Sequence, residues 1–490
     1  MSPRADLILA NRSYLDHDSP TGEPEQGSLP EGGLLAALRP ATAPWSESGG
    51  TTWLGASRGE FDRDHTDSAG YEFVSTPAGP LRHRRLWFDG PAWQGHYTMV
   101  ANGFFWPLLH LVRLPLPEMT GYFPRPEPPG TAEWAAYEQV NAAFAAAAME
   151  ETAARNCWVH DYQLALVPAM LREAAFGRPV GFFLHTAFPD LGLVLRVCGD
   201  SVLPHLRAFV EGILGADLAG FQSDGDLRRF HAAAAALCGA SGAAGGLRFR
   251  GRFVRTGSFP VGINAEEVSS LARHAHLPSE AAPAAATGLP LVVGLERCDF
   301  TKGIPERLGA IARAANSGVR FAYVGIAAPT REDVRGYAEL ERAVEAAARS
   351  AASAVAAAGG YFLQVRRAIP WSEVVGLQRH AGVVFTSSLA DGMNLVPLQA
   401  AVAQSLRPNA ERAVVLVGRD AGAAHAYPGF EQDGLVTVDP FDEPATAATL
   451  TAAVEGRIPG ASDGLIAAVR DHSAASWATA FLSALESAAC

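Results

Sequence analysis

Residues 291–307, LVVGLERCDFTKGIPER, decide how the chain is read. Leu291-Val292-Val293-Gly294-Leu295 is a continuous apolar run, the pattern of a strand buried on both faces of a parallel sheet. Glu296, Arg297, Asp299 and Lys302 follow at its carboxyl end, and Pro305 suits the first turn of a helix beginning at Ile304 or Pro305. Ligands of open α/β sheets bind in the crevice beyond the carboxyl ends of the strands. Two fixed cations there, beside a helix N-terminus, suit a polyphosphate. The same residues also fit a surface loop with incidental salt bridges, and the loop taken alone does not choose.

Working outward, 490 residues call for at least two domains. An apolar fraction of 48% and a mean hydropathy of +0.07 fit a compact globular protein. The 33 Pro and 49 Gly are spread along the chain, which excludes collagen and long low-complexity tracts. A net charge of −12 and a pI near 5.6 argue against a nucleic-acid surface, although a local cluster of cations can still hold a phosphate. Cys157, Cys198, Cys238, Cys298 and Cys490 show no CxxC or Cys/His ligand spacing, so neither a zinc site nor a disulfide framework is expected. The apolar run near the N-terminus is about four residues, too short for a signal peptide. No uncharged apolar stretch reaches about 20 residues, so no membrane span and a cytoplasmic location are expected.

A strand–polar end–helix rhythm runs through the chain. Residues 6–10 read as a strand ending in Asn11-Arg12. Gly32-Gly33 opens a helix whose backbone can approach a phosphate closely, though paired glycines before helices are common. A strand over 51–56 follows, and the aromatic segment 96–106 can be core packing entirely. A helix over 131–155 leads to a strand 157–159 ending in His160-Asp161-Tyr162, and a strand 180–184 ends in His185. Strands at 217–222 and 253–263 close the first half, and residues 265–288, rich in Ala, Pro, Glu and His, read as a connection. The alternation restarts at 291–295, 320–326, 361–365, 383–386, 414–417 and 435–438. The fold expected is α/β: two Rossmann-like doubly wound domains, residues 1–264 and 265–470, facing across a cleft. A terminal segment 471–490, bearing Trp477, Phe481 and Leu482, crosses back to the first domain.

A second polar cluster answers the first loop: Asp391-Gly392-Met393-Asn394-Leu395-Val396-Pro397-Leu398-Gln399, after the strand 383–386. Asp391 before glycine suits a turn presenting a carboxylate to sugar hydroxyls, and amides from Met393 to Val396 would offer donors to phosphate if they open a helix. Six segments in order, HDYQL (160–164), GFFLHTAFP (181–189), GFQSDGDLRRF (220–230), PVGI (260–263), ERCDFTKGIPER (296–307) and DGMNLV (391–396), resemble the trehalose-6-phosphate synthase family of retaining glycosyltransferases. Their spacing is also similar, and the resemblance spans nearly the whole chain. It implies the GT-B arrangement of two Rossmann-like domains.

The resemblance further implies roles. Gly33, Arg297 and Lys302 match residues on the donor diphosphate, and Asp391 matches the carboxylate holding the donor sugar. Met393, Asn394, Leu395, Val396 and Gln399 complete the donor side. His185 matches the histidine beside the transferring sugar, and Asp161 the acceptor-binding carboxylate. Arg12, Tyr97, Trp106 and Arg331 match the holders of the acceptor phosphate. Catalysis is then expected of His185, Arg297, Lys302 and Asp161, with a nucleoside diphosphate sugar (UDP- or GDP-glucose) and a phosphorylated acceptor as substrates. No metal, cofactor, nucleic acid or membrane is expected, and a homo-oligomer is compatible with the sequence.

This chain departs from the family pattern at Gln399, where the family has a carboxylate for the ribose, at Ala56, where it has an aromatic residue, and at His425-Ala426, where it has Asn-Glu. The segment SPTGEPE (19–25) resembles pseudo-glycosyltransferases of aminocyclitol biosynthesis. A small residue at position 56 is expected to leave room for a bulkier partner. Two other readings follow: a natural-product variant using a nucleoside or aminocyclitol phosphate, and an inactive sugar-phosphate sensor. The retained charged residues argue against the latter.

Overall fold

A computed structural model describes residues 6–18, 33–42, 44, 46, 49–76, 79–331 and 333–488; the SPTGEPE segment and Gly32 lie outside them. The chain divides into two units, one comprising 1–115, 125–261 and 474–490, the other 116–124 and 262–473.

The first unit is built on ten strands: β1 (Leu7–Arg12), β2 (Thr52–Ala56), β3 (Tyr71–Thr76), β4 (Gly79–Leu86), β5 (Cys157–His160), β6 (Val180–Phe183), β7 (Leu218–Phe221), β8 (Ser241–Ala243), β9 (Gly246–Phe249) and β10 (Arg252–Ser258). They lie in the order β3-β4-β2-β1-β5-β6-β7-β10-β9-β8. Pairing is parallel from β4 through to β10 and antiparallel only in the edge pairs β3–β4, β8–β9 and β9–β10. The winding of the parallel strands therefore reverses between β1 and β5.

The edge strands were not among the predicted ones, and β3–β4 shows why. Their inward positions include Glu72, His83 and Arg85, all buried. Glu72 answers the other two, at 2.7 Å to His83 Nδ1 and 2.6 Å to Arg85 Nη2. A charged inner face hides the alternation that marks a strand.

The helix Ala474–Ala488 packs on the parallel strands of this unit. The Phe481 ring stacks on Trp158 with centroids 4.6 Å apart, and Trp477 lies 5.1 Å from the same indole. Gly181 and Gly220 make room: a Cβ at either would come within 2.8 and 2.7 Å of the Phe481 ring.

The second unit has six strands, β11 (Leu291–Arg297), β12 (Ala322–Ala328), β13 (Tyr361–Val365), β14 (Val383–Phe385), β15 (Val414–Gly418) and β16 (Leu435–Val438), all parallel in the order β13-β12-β11-β14-β15-β16. The winding reverses between β11 and β14. β11 is buried along all but its last residue, and the helix Ile304–Asn316 follows with Pro305 in its first turn, as predicted. Gly303 takes the left-handed conformation (φ 60°) that turns the loop into this helix.

Residues 265–288 are not a connection. They form the helices Ala265–His274 and Ala282–Ala286 within the second unit. The Asn264 side chain caps the first by accepting from the Glu267 N–H at 3.2 Å, and Ala265, Val268 and Ala272 are buried. Alanine and glutamate favour a helix as readily as a linker. The strand expected at 320–326 is shifted to Ala322–Ala328, and the helix from Thr131 stops at Glu150. Segment 116–124 belongs to the second unit, where the Tyr122 hydroxyl donates to Glu306 Oε2 at 2.7 Å.

Replacing Phe481 with alanine removes a completely buried ring from the sheet surface. The expected loss is ~3–5 kcal/mol of unfolding free energy. Chemical denaturation checks it, and a loss below about 1 kcal/mol would contradict the packing described.

Candidate active site

In the second domain the chemistry-bearing side chains stand on the loops after β11 and β14, the two strands flanking the reversal. Arg297 ends β11; its side chain is 42% exposed, and Nη1 donates to Thr330 Oγ1 at 3.2 Å. Lys302 Nζ forms an ion pair with Asp391 Oδ2, reaching from one loop to the other. Ser388 Oγ donates to the same carboxylate oxygen at 3.2 Å. The Asp391 N–H donates to the Asp420 carbonyl at 3.2 Å, and its carbonyl accepts from the Gly422 N–H at 3.1 Å. Two side chains thus hold the carboxylate, and two backbone bonds fix the residue that carries it.

Asn394 is buried, donating through Nδ2 to Ser388 Oγ at 3.1 Å and accepting the Val396 N–H at 3.1 Å. That second bond starts the helix Val396–Ala403, so the amides of Met393 to Val396 do lead into a helix as expected. Met393, Leu395 and Val396 are partly exposed. Gln399, also partly exposed, lies one turn in, its N–H on the Leu395 carbonyl at 3.0 Å.

Beneath these loops Glu296 and Arg307 form a buried ion pair. Arg307 Nη1 also donates to the Phe385 carbonyl at 3.2 Å and to Ser387 Oγ at 3.4 Å, and Asn394 Nδ2 reaches Glu296 Oε1 at 3.4 Å. Burial pushes the Glu296 carboxyl up from its ordinary range, against the pull of Arg307 and Lys302.

The sequence placed Asp299 in the loop without a role; the structure makes it a hub. It is completely buried and accepts from the Thr301 N–H at 3.2 Å, Thr301 Oγ1 at 3.1 Å, the Tyr337 hydroxyl at 2.9 Å and Arg331 Nη1 at 3.3 Å. Burial alone would raise its pKa, but Arg331, Arg297 and Lys302 outweigh that and hold the carboxyl well below the usual range. Arg331 itself sits in the left-handed region, φ 52°.

In the first domain Arg12 ends β1, opposite Ala56 of β2, and its carbonyl accepts from Trp53 Nε1 at 3.0 Å. Asn11 Oδ1 lies 2.8 Å from His96 Nε2, and burial pushes the His96 pKa down to about 3, so this ring is a neutral donor. His96 lies on the wide π-helical turn Gln94–Phe105, where the Trp106 N–H reaches back to the Ala101 carbonyl. Tyr97 stacks on Trp93 with centroids 5.2 Å apart, and the Arg58 guanidinium lies 5.9 Å from the Tyr97 ring centre. Asn102 donates to the Tyr97 carbonyl at 2.9 Å and accepts from the Tyr162 hydroxyl at 2.8 Å; the Trp106 ring lies 5.8 Å from Tyr162. The aromatic segment is therefore both core and a frame that joins Arg12, Tyr97 and Trp106 to the end of β5.

At that end Asp161 adopts φ 70°, unusual for a residue with a side chain, and its Oδ1 accepts the His185 N–H at 3.1 Å. The His185 ring lies 3.1 Å, Nε2 to Nδ1, from His160, and burial pushes its pKa down to about 3. Gly33 opens the helix Gly33–Leu38 of the same domain. The sequence places His160 at this strand end and Trp477 on the returning segment, but assigns a role to neither; only their closeness in space to His185 reveals one.

The room expected beside Ala56 is absent, since Ala56 is completely buried. The loop after it folds onto Asp62, which accepts from Ser57 Oγ at 2.6 Å and from the Arg58 and Gly59 N–H groups at 3.0 and 2.9 Å. Among the described residues no group of three or more His, Cys, Asp or Glu side chains could hold a metal ion, and no helix is long and apolar enough to cross a membrane.

Two Rossmann-like domains, each with its polar residues at a reversal of winding, define the GT-B class. The chain matches glycosyltransferase family 20 over residues 8–487 and belongs to that family, the one its six motifs resemble. It is 32% identical to a trehalose-6-phosphate synthase of Mycolicibacterium gilvum, over 81% of this chain and 78% of that protein. It is 31% identical to the protein of the same name from Mycolicibacterium paratuberculosis, over 98% and 94%. The crystal structure of a UDP-forming alpha,alpha-trehalose-phosphate synthase from Burkholderia xenovorans, in complex with glucose-6-phosphate, matches with a TM-score of 0.76 at 25% identity, covering 98% of this chain and 99% of that one.

Arg307→Met leaves Glu296 buried without its counter-charge, so the protein is expected to lose ~3–5 kcal/mol of stability. Denaturation midpoints of the two proteins check this, and near-equal midpoints would show that the pair does not hold the loops.

Proposed function

We propose that the chain is a retaining glycosyltransferase that moves glucose from UDP-glucose to a small phosphorylated acceptor, with glucose 6-phosphate the first to test. One observation carries the reading: Lys302 and Asp391 meet across the reversal between β11 and β14, with Arg297 at the adjoining strand end. A cation for a phosphate thus stands beside a carboxylate for sugar hydroxyls. The family membership and the names of the relatives support the donor and the acceptor class.

In the proposed reaction the bond from glucose C1 to the diphosphate oxygen breaks and leaves its electrons on the diphosphate. The acceptor hydroxyl oxygen bonds to C1 on the same face, and its proton passes to the departing phosphate oxygen. Negative charge grows on the diphosphate, and prepositioned Arg297 and Lys302 favour that state over the ground state. They supply the counter-charge without a metal. Asp391 accepts from the glucose hydroxyls, and Gly33 and the segment from Met393 to Val396 lie against the donor. His185 suits a neutral hydrogen-bonding partner of the sugar, because its low pKa disfavours a cation there. Asp161 orients the acceptor hydroxyl, and Arg12, Tyr97, Trp106 and Arg331 hold the acceptor phosphate.

Incubation with glucose 6-phosphate and either UDP-glucose or GDP-glucose tests this, with trehalose 6-phosphate and UDP expected from UDP-glucose. Turnover only on another phosphate would overturn the acceptor, and nucleotide binding without turnover on any acceptor would favour a sensor. Lys302→Ala is expected to lower kcat by ~10²–10³ with the fold intact; a rate within about twofold of wild type would remove Lys302 from the leaving group. Gln399→Glu is expected to tighten UDP by roughly threefold to tenfold in calorimetry if residue 399 faces the ribose, because a charged acceptor makes the stronger hydrogen bond. Unchanged affinity would place Gln399 away from the nucleotide.

A further inference from the structure

β5 and β6 run side by side with His160 opposite Phe183, and this brings two imidazoles together at their ends. His160 Nδ1 and His185 Nε2 lie 3.1 Å apart. Two neutral imidazoles at that distance share a single proton: one nitrogen donates and the other accepts. The surroundings of His160 decide which. Its ring is completely buried, its centroid 4.5 Å from that of Trp158, and its second nitrogen, Nε2, has no hydrogen-bond partner among the described residues.

A proton on Nε2 would bury an unanswered N–H. A proton on Nδ1 leaves only a lone pair unanswered, and unpaired buried donors are the rarer and costlier case. Nδ1 of His160 is therefore the donor, Nε2 of His185 the acceptor, and the proton of His185 sits on its Nδ1. Burial lowers the pKa of both rings, that of His185 to about 3, so neither takes a second proton at neutral pH. Other contacts set the plane of the acceptor ring: Phe183 and Trp477 lie 4.7 and 5.8 Å from it, and the Asp161 carboxylate holds the His185 backbone N–H.

We propose that His160 is a positioning residue that locks His185 as the neutral Nδ1–H tautomer, so that His185 meets the transferred sugar as a hydrogen-bond donor. The tautomer follows from the geometry alone, while its use toward the sugar rests on the function proposed above.

Ring ¹⁵N shifts of the full-length protein test the first part, with His185→Asn used only to assign the signals. A protonated Nδ1 and an unprotonated Nε2 are expected for His185, unchanged from about pH 6 to 8, the range around the ordinary histidine pKa. A protonated Nε2, or a signal averaged between the two tautomers, overturns the proposal. Kinetics with UDP-glucose and glucose 6-phosphate test the second part. His160→Ala is expected to lower kcat by ~10–100-fold, the scale for the outer partner of a functional histidine. The KM for UDP-glucose should stay within about twofold. His160→Asn, whose side-chain N–H can stand where Nδ1–H was, is expected to recover most of that loss. Equal loss in both variants, tracking a fall in thermal midpoint, would reduce His160 to a structural residue and sink the proposal. If the wild-type protein turns over none of these substrates, the functional reading fails, and the ring shifts still decide the tautomer.

Discussion

A guanidinium buried under two loops is the constraint on which the second domain depends. Arg307 reaches Glu296 at the end of β11, the carbonyl of Phe385 at the end of β14, and Ser387 in the following loop. Taking such a pair out of water costs several kcal/mol per ion, so burial alone does not account for its presence. Its geometry does. One planar group bonds to both strands that flank the reversal of winding, and Asn394 extends the link through Glu296 to the loop of Asp391. Ser387 also donates to the carbonyls of Lys302 and Gly303, at 2.9 Å each. The two loops are thus tied to each other by bonds other than the Lys302–Asp391 pair.

Asp299 solves a different problem. Arg297, Lys302 and Arg331 would repel one another without an anion among them, and Asp299 lowers that cost while leaving the cluster positive in sum. Asp391 then takes Lys302 directly. Cations held by buried carboxylates need little rearrangement when a developing charge arrives, which is the condition for electrostatic stabilisation. A chain of net charge −12 can therefore present a local site for phosphate.

The parallel core was legible because buried strands such as β11 and β5 are apolar runs ending abruptly in polar residues. The edge pair β3–β4 was not, because Glu72, His83 and Arg85 turn a buried face into a polar string. Helices over 265–286 were read as a connection because alanine, glutamate and proline serve both states, and only burial of Val268 and Ala272 separates them. At the site, residues carried by motifs could be named from the sequence. Asp299 and His160 stood inside the same motifs without roles, because their work is to bond side chains that come close only in space. The opening foreseen at Ala56 is not found for a related reason: a substitution shows the volume removed, but not that the smaller residue is completely buried.

The two domains treat charge differently. In the second, ion pairs hold the working side chains. In the first, the contacts around His96, His160 and His185 are between neutral groups, and burial keeps these rings uncharged. Asp161 is the exception, and its backbone is the strained one. A residue with a side chain at φ 70°, ψ 170° costs roughly 1–3 kcal/mol. Its N–H bond to the Phe183 carbonyl at 2.8 Å and its carboxylate bond to the His185 N–H offset that cost and bring the ends of β5 and β6 together. Strain persists at Asp161 because relaxing it would release His185 and the histidine pair. In the proposed transfer charge develops on the departing diphosphate, so the ionic cluster of the second domain suits that step, while the uncharged rings of the first suit a place where no new charge forms.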